Sequence, residues 1–294
     1  MGKIMKQCQS CAVLYESTNN KCDVCGWQPD LIDGFEAYAP VLAHENEGFK
    51  SNYFSDLARL EDGSFWFRSR NNLILWVLAK YSPKFQSFLE IGCGTGYVLS
   101  AISKAYPQSR LAGSEIFTEG LRYSASRLSS VKLMQMDARN IPFSNEFDAI
   151  GAFDVLEHIE DDELVLKQMY LSLKPKGLIV ITVPQHEWLW SAADEYAFHA
   201  RRYSAKDLHY KIRKAGFRVV RSTSFVSTIL PAMILSRYFK KEVKIDQFDA
   251  TSELKINPLL NALFFFILRI ERYLIEMGVD FPAGGSRLVV AQKD

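Results

Sequence analysis

The segment from residue 87 to residue 106 constrains the fold more than any other part of this chain. It reads SFLEIGCGTG and continues as YVLSAISKAY. Residues 87–92 are short and apolar, as in a buried strand, and residues 97–106 have the length and composition of a helix that Pro107 ends. The glycines therefore fall in a strand-to-helix turn, where backbone N–H groups and a helix N-terminus can bind a ligand.

The acid that precedes this turn helps to identify the ligand. Glu90 stands just before the first glycine, Gly92, and its carboxylate would repel a pyrophosphate. Glu115 ends the next apolar segment, 110–116, and can accept hydrogen bonds from both hydroxyls of a ribose. Glu115 fits either a nicotinamide dinucleotide or another nucleoside, whereas Glu90 favours a nucleoside that carries an amino acid.

Strand-like and helix-like segments alternate along the rest of the chain. This alternation predicts an α/β protein with a mostly parallel sheet and helices on both faces. The segment 131–143 contains a third strand that ends at Asp137 and Ala138, and the segment 147–161 begins with a fourth. The remaining predicted strands are 177–184, 215–225 and 286–294.

This order of features resembles the class I S-adenosylmethionine-dependent methyltransferases. The resemblance covers roughly 60–225 and 286–294, and it rests on the glycine turn with its acid, the acids at the ends of strands two and three, and FDVLEH after strand four. It implies a Rossmann-like, seven-stranded sheet whose last strand is antiparallel. It also implies S-adenosylmethionine as the cofactor.

The resemblance further implies a position for each part of that cofactor. Glu90 and the glycine turn would hold the methionine part, and Glu115 would hold the ribose. An amphipathic segment, 64–81, is similar to a helix that lies over the cofactor, with Arg70 as the candidate for the methionine carboxylate and Arg68 as the alternative. Asp137 and Ala138 would meet the edge of the adenine, and Ile116 would lie against its face. The full set of predicted cofactor-binding residues is Arg70, Glu90, Gly92, Gly94, Gly96, Glu115, Ile116, Asp137, Ala138 and Phe153.

The segment DVLEHIED is the first candidate for acceptor chemistry. Asp154, Glu157 and His158 are spaced i, i+3, i+4, which places them on one face of a helix. We expect a general-base or structural role for these residues, and a bound divalent cation is the alternative.

The long segment 186–204 is the second candidate, because it follows the fifth strand at the edge where open α/β folds bind ligands. His199 is a candidate base, and Arg201 or Arg202 could bind an anionic group of the substrate. A structural lid with Arg–Asp pairs is the alternative. The predicted catalytic residues are thus His158, His199, Glu157 and Asp154.

The N-terminus carries a pattern typical of a metal module. Four of the five cysteines, Cys8, Cys11, Cys22 and Cys25, form two C-x2-C pairs separated by ten residues. Two such pairs make a tetrahedral sulfur cage that suits zinc, and four protein ligands close the site, which predicts a structural zinc ribbon. Disulfides and free thiols are the alternatives, and a reducing cytoplasm disfavours the first.

The 60 residues of 226–285 separate the last two strands, where the resemblance implies a simple hairpin. Leu259–Ile270 is apolar on all sides but too short to span a bilayer. We expect a buried helix or a lid, with Phe264, Phe265 and Phe266 closing over an apolar acceptor. Peripheral membrane contact and homodimerisation through this insertion are the alternatives.

The bulk composition narrows the partners. A net charge of +1 makes a nucleic-acid substrate unlikely, and 48% apolar residues are ordinary for a soluble globular protein. The N-terminus lacks the apolar core of a signal peptide, so we expect a cytoplasmic protein, with attachment to the inner membrane face as an option.

The prediction is therefore an S-adenosylmethionine-dependent methyltransferase that acts on a small or lipid-linked molecule by O- or N-methylation. A ribosomal RNA methyltransferase with a zinc module and a non-catalytic cofactor-binding scaffold are the alternatives. The predicted divisions are a zinc ribbon (1–30), a linker with a helical cap (31–80), the core (81–225), the helical insertion (226–285) and the last core strand (286–294).

Overall fold

A computed structural model of the chain describes residues 5–16, 20–44, 52–239 and 256–294. The strands are β1 (Met5–Gln7), β2 (Leu14–Glu16), β3 (Asp30–Ile32), β4 (Phe35–Ala37), β5 (Ser87–Ile91), β6 (Arg110–Glu115), β7 (Lys132–Gln135), β8 (Phe143–Ser144), β9 (Phe147–Phe153), β10 (Leu173–Pro184), β11 (Phe217–Phe225) and β12 (Ser286–Lys293). The α-helices are α1 (Asn52–Leu60), α2 (Phe65–Tyr81), α3 (Tyr97–Ala105), α4 (Thr118–Arg127), α5 (Asp162–Ser172), α6 (Ala192–Tyr196), α7 (Ala205–Lys214), α8 (Leu230–Phe239) and α9 (Pro258–Glu276). Short 3-10 turns lie at Pro40–Leu42, Leu156–His158 and Glu187–Leu189.

One large sheet has the strand order β11-β12-β10-β9-β5-β6-β7-β4-β3. Strand β12 runs antiparallel to both β10 and β11, whereas β10, β9, β5, β6 and β7 pair in parallel. The predicted Rossmann-like fold with an antiparallel last strand is therefore confirmed. In the described part of the chain the sheet has nine strands instead of the predicted seven.

The two additional strands come from the segment that the sequence suggested was a linker. Strands β3 and β4 form a tight hairpin through Asp33 and Gly34, whose φ angles of 52° and 87° suit a two-residue turn. Strand β4 then pairs in parallel with β7, Glu36 opposite Met134. Strands of three residues carry too little apolar periodicity to be recognised from the sequence.

Apolar clusters cover both faces of the sheet. One cluster packs α5 and α7 against the strands through residues such as Leu166 and Leu208. The other packs α2, α3 and α9 through residues such as Val77 and Leu99. Strand β5 is buried along its whole length, as expected for a central parallel strand, and this holds the glycine turn rigidly at its carboxyl end.

Strands β2, β1 and β8 form a separate three-stranded sheet, and a buried lysine links it to Tyr38 after β4. Strand β1 pairs with β8, and Lys6 lies opposite Phe143. The Lys6 ammonium donates a 2.6 Å hydrogen bond to the hydroxyl of Tyr38 and lies 5.1 Å from the centre of that ring. Burial lowers the pKa of Lys6 to about 8.

The insertion contains α8 and α9, and α9 packs against α2. The Phe264 ring lies 5.3 Å from the Phe65 ring. Buried Glu271 accepts hydrogen bonds of 2.9 Å and 2.7 Å from the amides of Ser227 and Thr228, which ties α9 to the chain just before α8. No helix among the described residues is both long enough and apolar enough to cross a membrane.

Candidate functional site

Two glycines of the turn are needed for different reasons, Gly92 for close packing and Gly94 for an open backbone surface. A Cβ atom added to Gly92, whose φ is 63°, would lie 2.5 Å from a methyl carbon of Val155. A Cβ added to Gly94, whose φ is 51°, would meet nothing closer than the Phe54 ring at 3.8 Å. Gly92 is therefore required for close packing, whereas Gly94 leaves a backbone surface that a ligand can approach.

Glu90 provides an unusual buried carboxylate beneath this turn. Its side chain is 2% exposed, and Oε2 has no hydrogen-bond partner among the described residues. Burial raises the pKa of Glu90 well above its ordinary value, and the nearby Arg70 opposes this shift. A buried, unpartnered carboxylate oxygen fits a cationic ligand group such as an ammonium.

Glu115 at the end of β6 is buried and faces the same turn. Its carboxylate accepts hydrogen bonds from the amides of Gly94 at 3.1 Å, Ile116 at 2.8 Å and Phe117 at 3.4 Å. Burial raises the pKa of Glu115, although these three amides oppose the shift. Two of these amides fill Oε1, whereas Oε2 accepts one hydrogen bond and keeps a lone pair for a hydroxyl donor such as that of a ribose.

Three further residues of the predicted cofactor set surround this edge of the sheet. The Asp137 carboxylate accepts three hydrogen bonds from the guanidinium of Arg139, two from Nε at 3.0 Å each and one from Nη2 at 2.8 Å. Ala138 and Phe153 are buried in the two opposite apolar clusters. Asp137 is thus held by a neighbouring cation that the sequence analysis did not consider.

Helix α1 covers the glycine turn from outside. The Phe54 ring reaches Gly94 and would lie 2.9 Å from a Cβ atom on Gly120. The Thr95 hydroxyl donates to Glu61 at 2.6 Å, and Glu61 also accepts a 2.8 Å hydrogen bond from Arg127. Sequence reasoning missed this cover, because nothing in the pattern of α1 links it to the turn.

Arg70 and Arg68, the two candidates for the methionine carboxylate, have different surroundings. Arg70 is buried on α2, forms an ion pair with Asp154, and lies 4.4 Å from the Trp66 ring. Arg68 instead lies 3.9 Å from the ring of Phe265 on α9. Arg70 therefore lies where its charge acts on Glu90, whereas Arg68 is directed toward the insertion.

The expected shared helical face of Asp154, Glu157 and His158 is wrong. Asp154 has a φ of 58° directly after β9, and only residues 156–158 form a single 3-10 turn. The left-handed backbone turns Asp154 toward Arg70 instead. The side chain that joins Glu157 and His158 is His199, and one ligand atom from each of these three lies within 4.8 Å of the others.

We call this group the Glu157 cluster (Glu157, His158 and His199). Its surroundings shift the pKa values of Glu157 and His158. Glu157 is fully buried, and burial together with Asp154 raises its pKa well above the ordinary value. The rings of His158 and His199 meet edge to face at 4.7 Å. The surrounding protein and the neighbouring His199 lower the pKa of His158, although the imidazole keeps a solvent-exposed edge.

Asp194 organises the loop that carries His199. Its fully buried carboxylate lies 2.9 Å from His199 Nδ1 and accepts hydrogen bonds from Arg202 at 2.7 Å and 3.0 Å. These neighbours outweigh burial and lower the pKa of Asp194 to about 2. Arg201 pairs with Asp162 at 2.9 Å. Both arginines therefore have carboxylate partners, as in the alternative of a structural lid.

The cysteine module is preformed for a tetrahedral ion. The sulfurs of Cys8 and Cys25 are 3.5 Å apart, and those of Cys11 and Cys22 are 3.7 Å apart. Ligands on a tetrahedron with zinc–sulfur bonds of about 2.3 Å are about 3.8 Å apart. Burial raises the pKa of Cys8, but the amides of Cys11 and Ser10 oppose it, and the net effect lowers that pKa to about 7.

The predicted residues thus converge on one edge of the sheet. Glu90 interacts electrostatically with Arg70 and Glu115, and Glu157 interacts with Arg70 and Asp154. Arg70 acts electrostatically on both Glu90 and Glu157 and so lies between the glycine turn and the Glu157 cluster. Carboxylates predominate among these groups, which favours a cationic ligand.

Comparison with known proteins is consistent with this geometry. A family model described as "Methyltransferase domain" matches residues 65–222. A malonyl-[acyl-carrier protein] O-methyltransferase of Calditerrivibrio nitroreducens is 31% identical over 34% of this chain and 38% of its own length. A demethylmenaquinone methyltransferase of Staphylococcus aureus is 35% identical over 31% of this chain and 40% of its own length. The chain spans 38% to 62% of the first curated relatives that it matches.

A solved structure shares the fold. Phosphoethanolamine N-methyltransferase 2 of Haemonchus contortus, in complex with S-adenosyl-L-methionine, superposes with a TM-score of 0.55 and 17% identity. The match covers 83% of this chain and 57% of that protein. At this level of identity the likeness concerns the fold alone.

Proposed function

Because this chain belongs to the class I S-adenosylmethionine-dependent methyltransferase family, we propose that it methylates a hydroxyl or amine of a small or lipid-linked acceptor. The observation that carries this proposal is the buried Glu90 carboxylate, with its unpartnered oxygen, beside Arg70 and below the glycine turn. An amino acid has one ammonium and one carboxylate, and these two side chains complement both charges.

The remaining cofactor contacts follow from the positions of the predicted residues. Glu115 would accept the ribose hydroxyls, Asp137 and Ala138 would meet the adenine edge, and Ile116 its face. When bound, the cofactor supplies an electrophilic methyl group on a sulfonium. The chain would hold the acceptor at near-attack distance, and we assign proton removal to the Glu157 cluster.

We propose a lipid-linked acceptor because of the outer face of α9. Among the described residues this face has no covering element, and its side chains recur at alternating steps of four and three, which places them on one side of the helix. They are Leu259 (82% exposed), Leu263 (51%), Phe266 (58%), Ile270 (49%), Tyr273 (61%) and Met277 (66%). A stripe of this kind suits the hydrocarbon chains of a membrane that carries the acceptor.

The four-cysteine module would hold one structural zinc, and we retain the predicted division of the chain into its five parts. The zinc module and the insertion contact different parts of the core: β1 pairs with β8 in a separate three-stranded sheet, and α9 packs on α2. We propose that the ribbon stabilises the N-terminal edge and that the insertion delivers the acceptor.

The cofactor assignment is tested by calorimetry of S-adenosylmethionine binding. Glu90→Gln should weaken binding by about 10- to 150-fold, the equivalent of one lost charged hydrogen bond of about 1.5–3 kcal/mol. Glu160→Gln, a change of an exposed carboxylate, is the matched control and should bind like the wild type. Equal binding by both variants, or preference for NADH, would contradict the proposal.

The acceptor is tested by transfer of a labelled methyl group to fractions of a cell extract. We expect the label in the lipid fraction or in small molecules. Labelled ribosomal RNA would support the RNA alternative, and cofactor binding without any transfer would support the scaffold. Vesicle flotation and light scattering then separate membrane contact from a dimer through α9.

A further inference from the structure

The Glu157 cluster combines ligand types that metals prefer. It brings one carboxylate and two imidazoles together from two separate parts of the chain, the 3-10 turn after β9 and the loop after β10. Imidazole is a common ligand of zinc, iron, copper and nickel, and two imidazoles with one carboxylate leave coordination positions open.

The carboxyl group of Glu157 lacks a side-chain partner in the described part of the chain. It is fully buried, and neither oxygen has a hydrogen-bond partner in another residue. The two nearest cations are already engaged, since Arg70 pairs with Asp154 and Arg202 pairs with Asp194. A buried carboxylate is stable as an anion only when a cation or hydrogen-bond donors face it.

His199 is held as a metal-ligating imidazole is usually held. Its Nδ1 lies 2.9 Å from the buried carboxylate of Asp194, which accepts a hydrogen bond from the Nδ1–H group and leaves the Nε2 lone pair free. Arg202 fixes Asp194 from the other side. A carboxylate behind the ring orients the imidazole and increases its basicity toward a metal.

We propose that Glu157, His158 and His199 bind one divalent transition-metal ion at the acceptor side of the site. Ligands at about 2.0–2.2 Å from an ion lie within about 4.4 Å of one another, so atoms already within 4.8 Å need only small side-chain movements. The ion would take an acceptor hydroxyl at an open position and lower the pKa of that hydroxyl, so that its proton leaves to solvent water. His199 would act as a ligand, and the cluster would promote proton removal through the ion. This last role rests on the proposed function, whereas metal binding does not.

Manganese titration tests the site directly. Mn²⁺ is added to the full-length chain with its cysteine module loaded with zinc, and unbound Mn²⁺ is measured by electron paramagnetic resonance. We expect one Mn²⁺ per wild-type chain, and at least tenfold weaker binding in Glu157→Gln and in His199→Asn. His209→Asn is the matched control, because that imidazole bonds Ser222 on another surface and should bind Mn²⁺ like the wild type.

Each outcome decides the question. The proposal would be overturned if the wild type bound neither Mn²⁺ nor a second zinc ion beyond the one in the cysteine module. Unchanged Mn²⁺ binding in Glu157→Gln would also overturn it. If His199→Asn unfolds, His158→Asn replaces it. S-adenosylmethionine calorimetry on the same proteins separates the two proposals, because metal binding without cofactor binding would reject the methyltransferase assignment and leave the metal site intact.

Discussion

The change Gly92→Ala tests why the first glycine of the turn is required. An alanine here pays about 1–2 kcal/mol for its left-handed backbone, with a φ of 63°. Its Cβ also lies 2.5 Å from Val155 Cγ2 and 3.1 Å from Cγ1, an overlap that costs about 1–3 kcal/mol. We therefore expect Gly92→Ala to lower the free energy of unfolding by about 2–5 kcal/mol.

The structure also supplies the compensating change. Val155→Ala removes both overlapping methyl groups and leaves Val155 Cβ, at 3.4 Å, in ordinary contact. In the double variant Gly92→Ala should cost only the free energy of its left-handed backbone, because the overlap with Val155 is gone. The effects of the two changes on the free energy of unfolding should therefore differ from additivity by about 1–3 kcal/mol. Urea denaturation of the wild type, both single variants and the double variant measures this coupling, provided that the denaturant slope stays constant.

Gly94→Ala is the matched control at the neighbouring turn position. Its φ of 51° carries the same backbone cost, but no atom lies closer than 3.8 Å to the new Cβ. We expect a loss of only about 1–2 kcal/mol in stability, together with weaker binding of S-adenosylmethionine. Additive effects of Gly92→Ala and Val155→Ala, within about 0.5 kcal/mol, would refute the packing argument.

Three further predictions concern titration, the insertion and the metal. The pKa of Glu90 is raised above 4.5 in the folded chain, so the cofactor-free protein should lose stability as the pH rises from 4.5 through the raised pKa. Cofactor binding should release a proton from Glu90. Calorimetry in buffers of different ionisation heat measures this release. Phe264→Ser should lower stability by about 1–3 kcal/mol through lost packing on Phe65, whereas Phe266→Ser should change stability by less than about 0.5 kcal/mol and reduce vesicle flotation. Cys22→Ser should lower the zinc content by one ion per chain, as measured by elemental analysis.

Each of these predictions has a clear contrary result. Proton release that persists in Glu90→Gln would place the titrating group elsewhere. Equal stability losses in both phenylalanine variants, with unchanged flotation, would show that α9 is plain core. An unchanged zinc content in Cys22→Ser would reject the four-cysteine site.

The local features of this protein follow from its sequence because they depend on short spacing. Two C-x2-C pairs can form a sulfur cage wherever the module lies, and a glycine turn between an apolar strand and a helix has one main backbone solution. The alternation of strands and helices predicted the parallel sheet, since a parallel connection requires a crossover. Glu90 and Glu115 both stand near the carboxyl ends of predicted parallel strands, and such ends share one edge of a sheet, so the sequence places both acids at that edge.

Only the tertiary structure decided which distant side chains meet. A period of 3.6 residues places Asp154 with Glu157, but a left-handed backbone at Asp154 directs it to Arg70 instead. His199 joins Glu157 because β9 and β10 are neighbours in the sheet. Sequence periodicity records how each segment folds along itself, whereas contacts between segments depend on strand order and packing, which are settled only when the whole chain is folded.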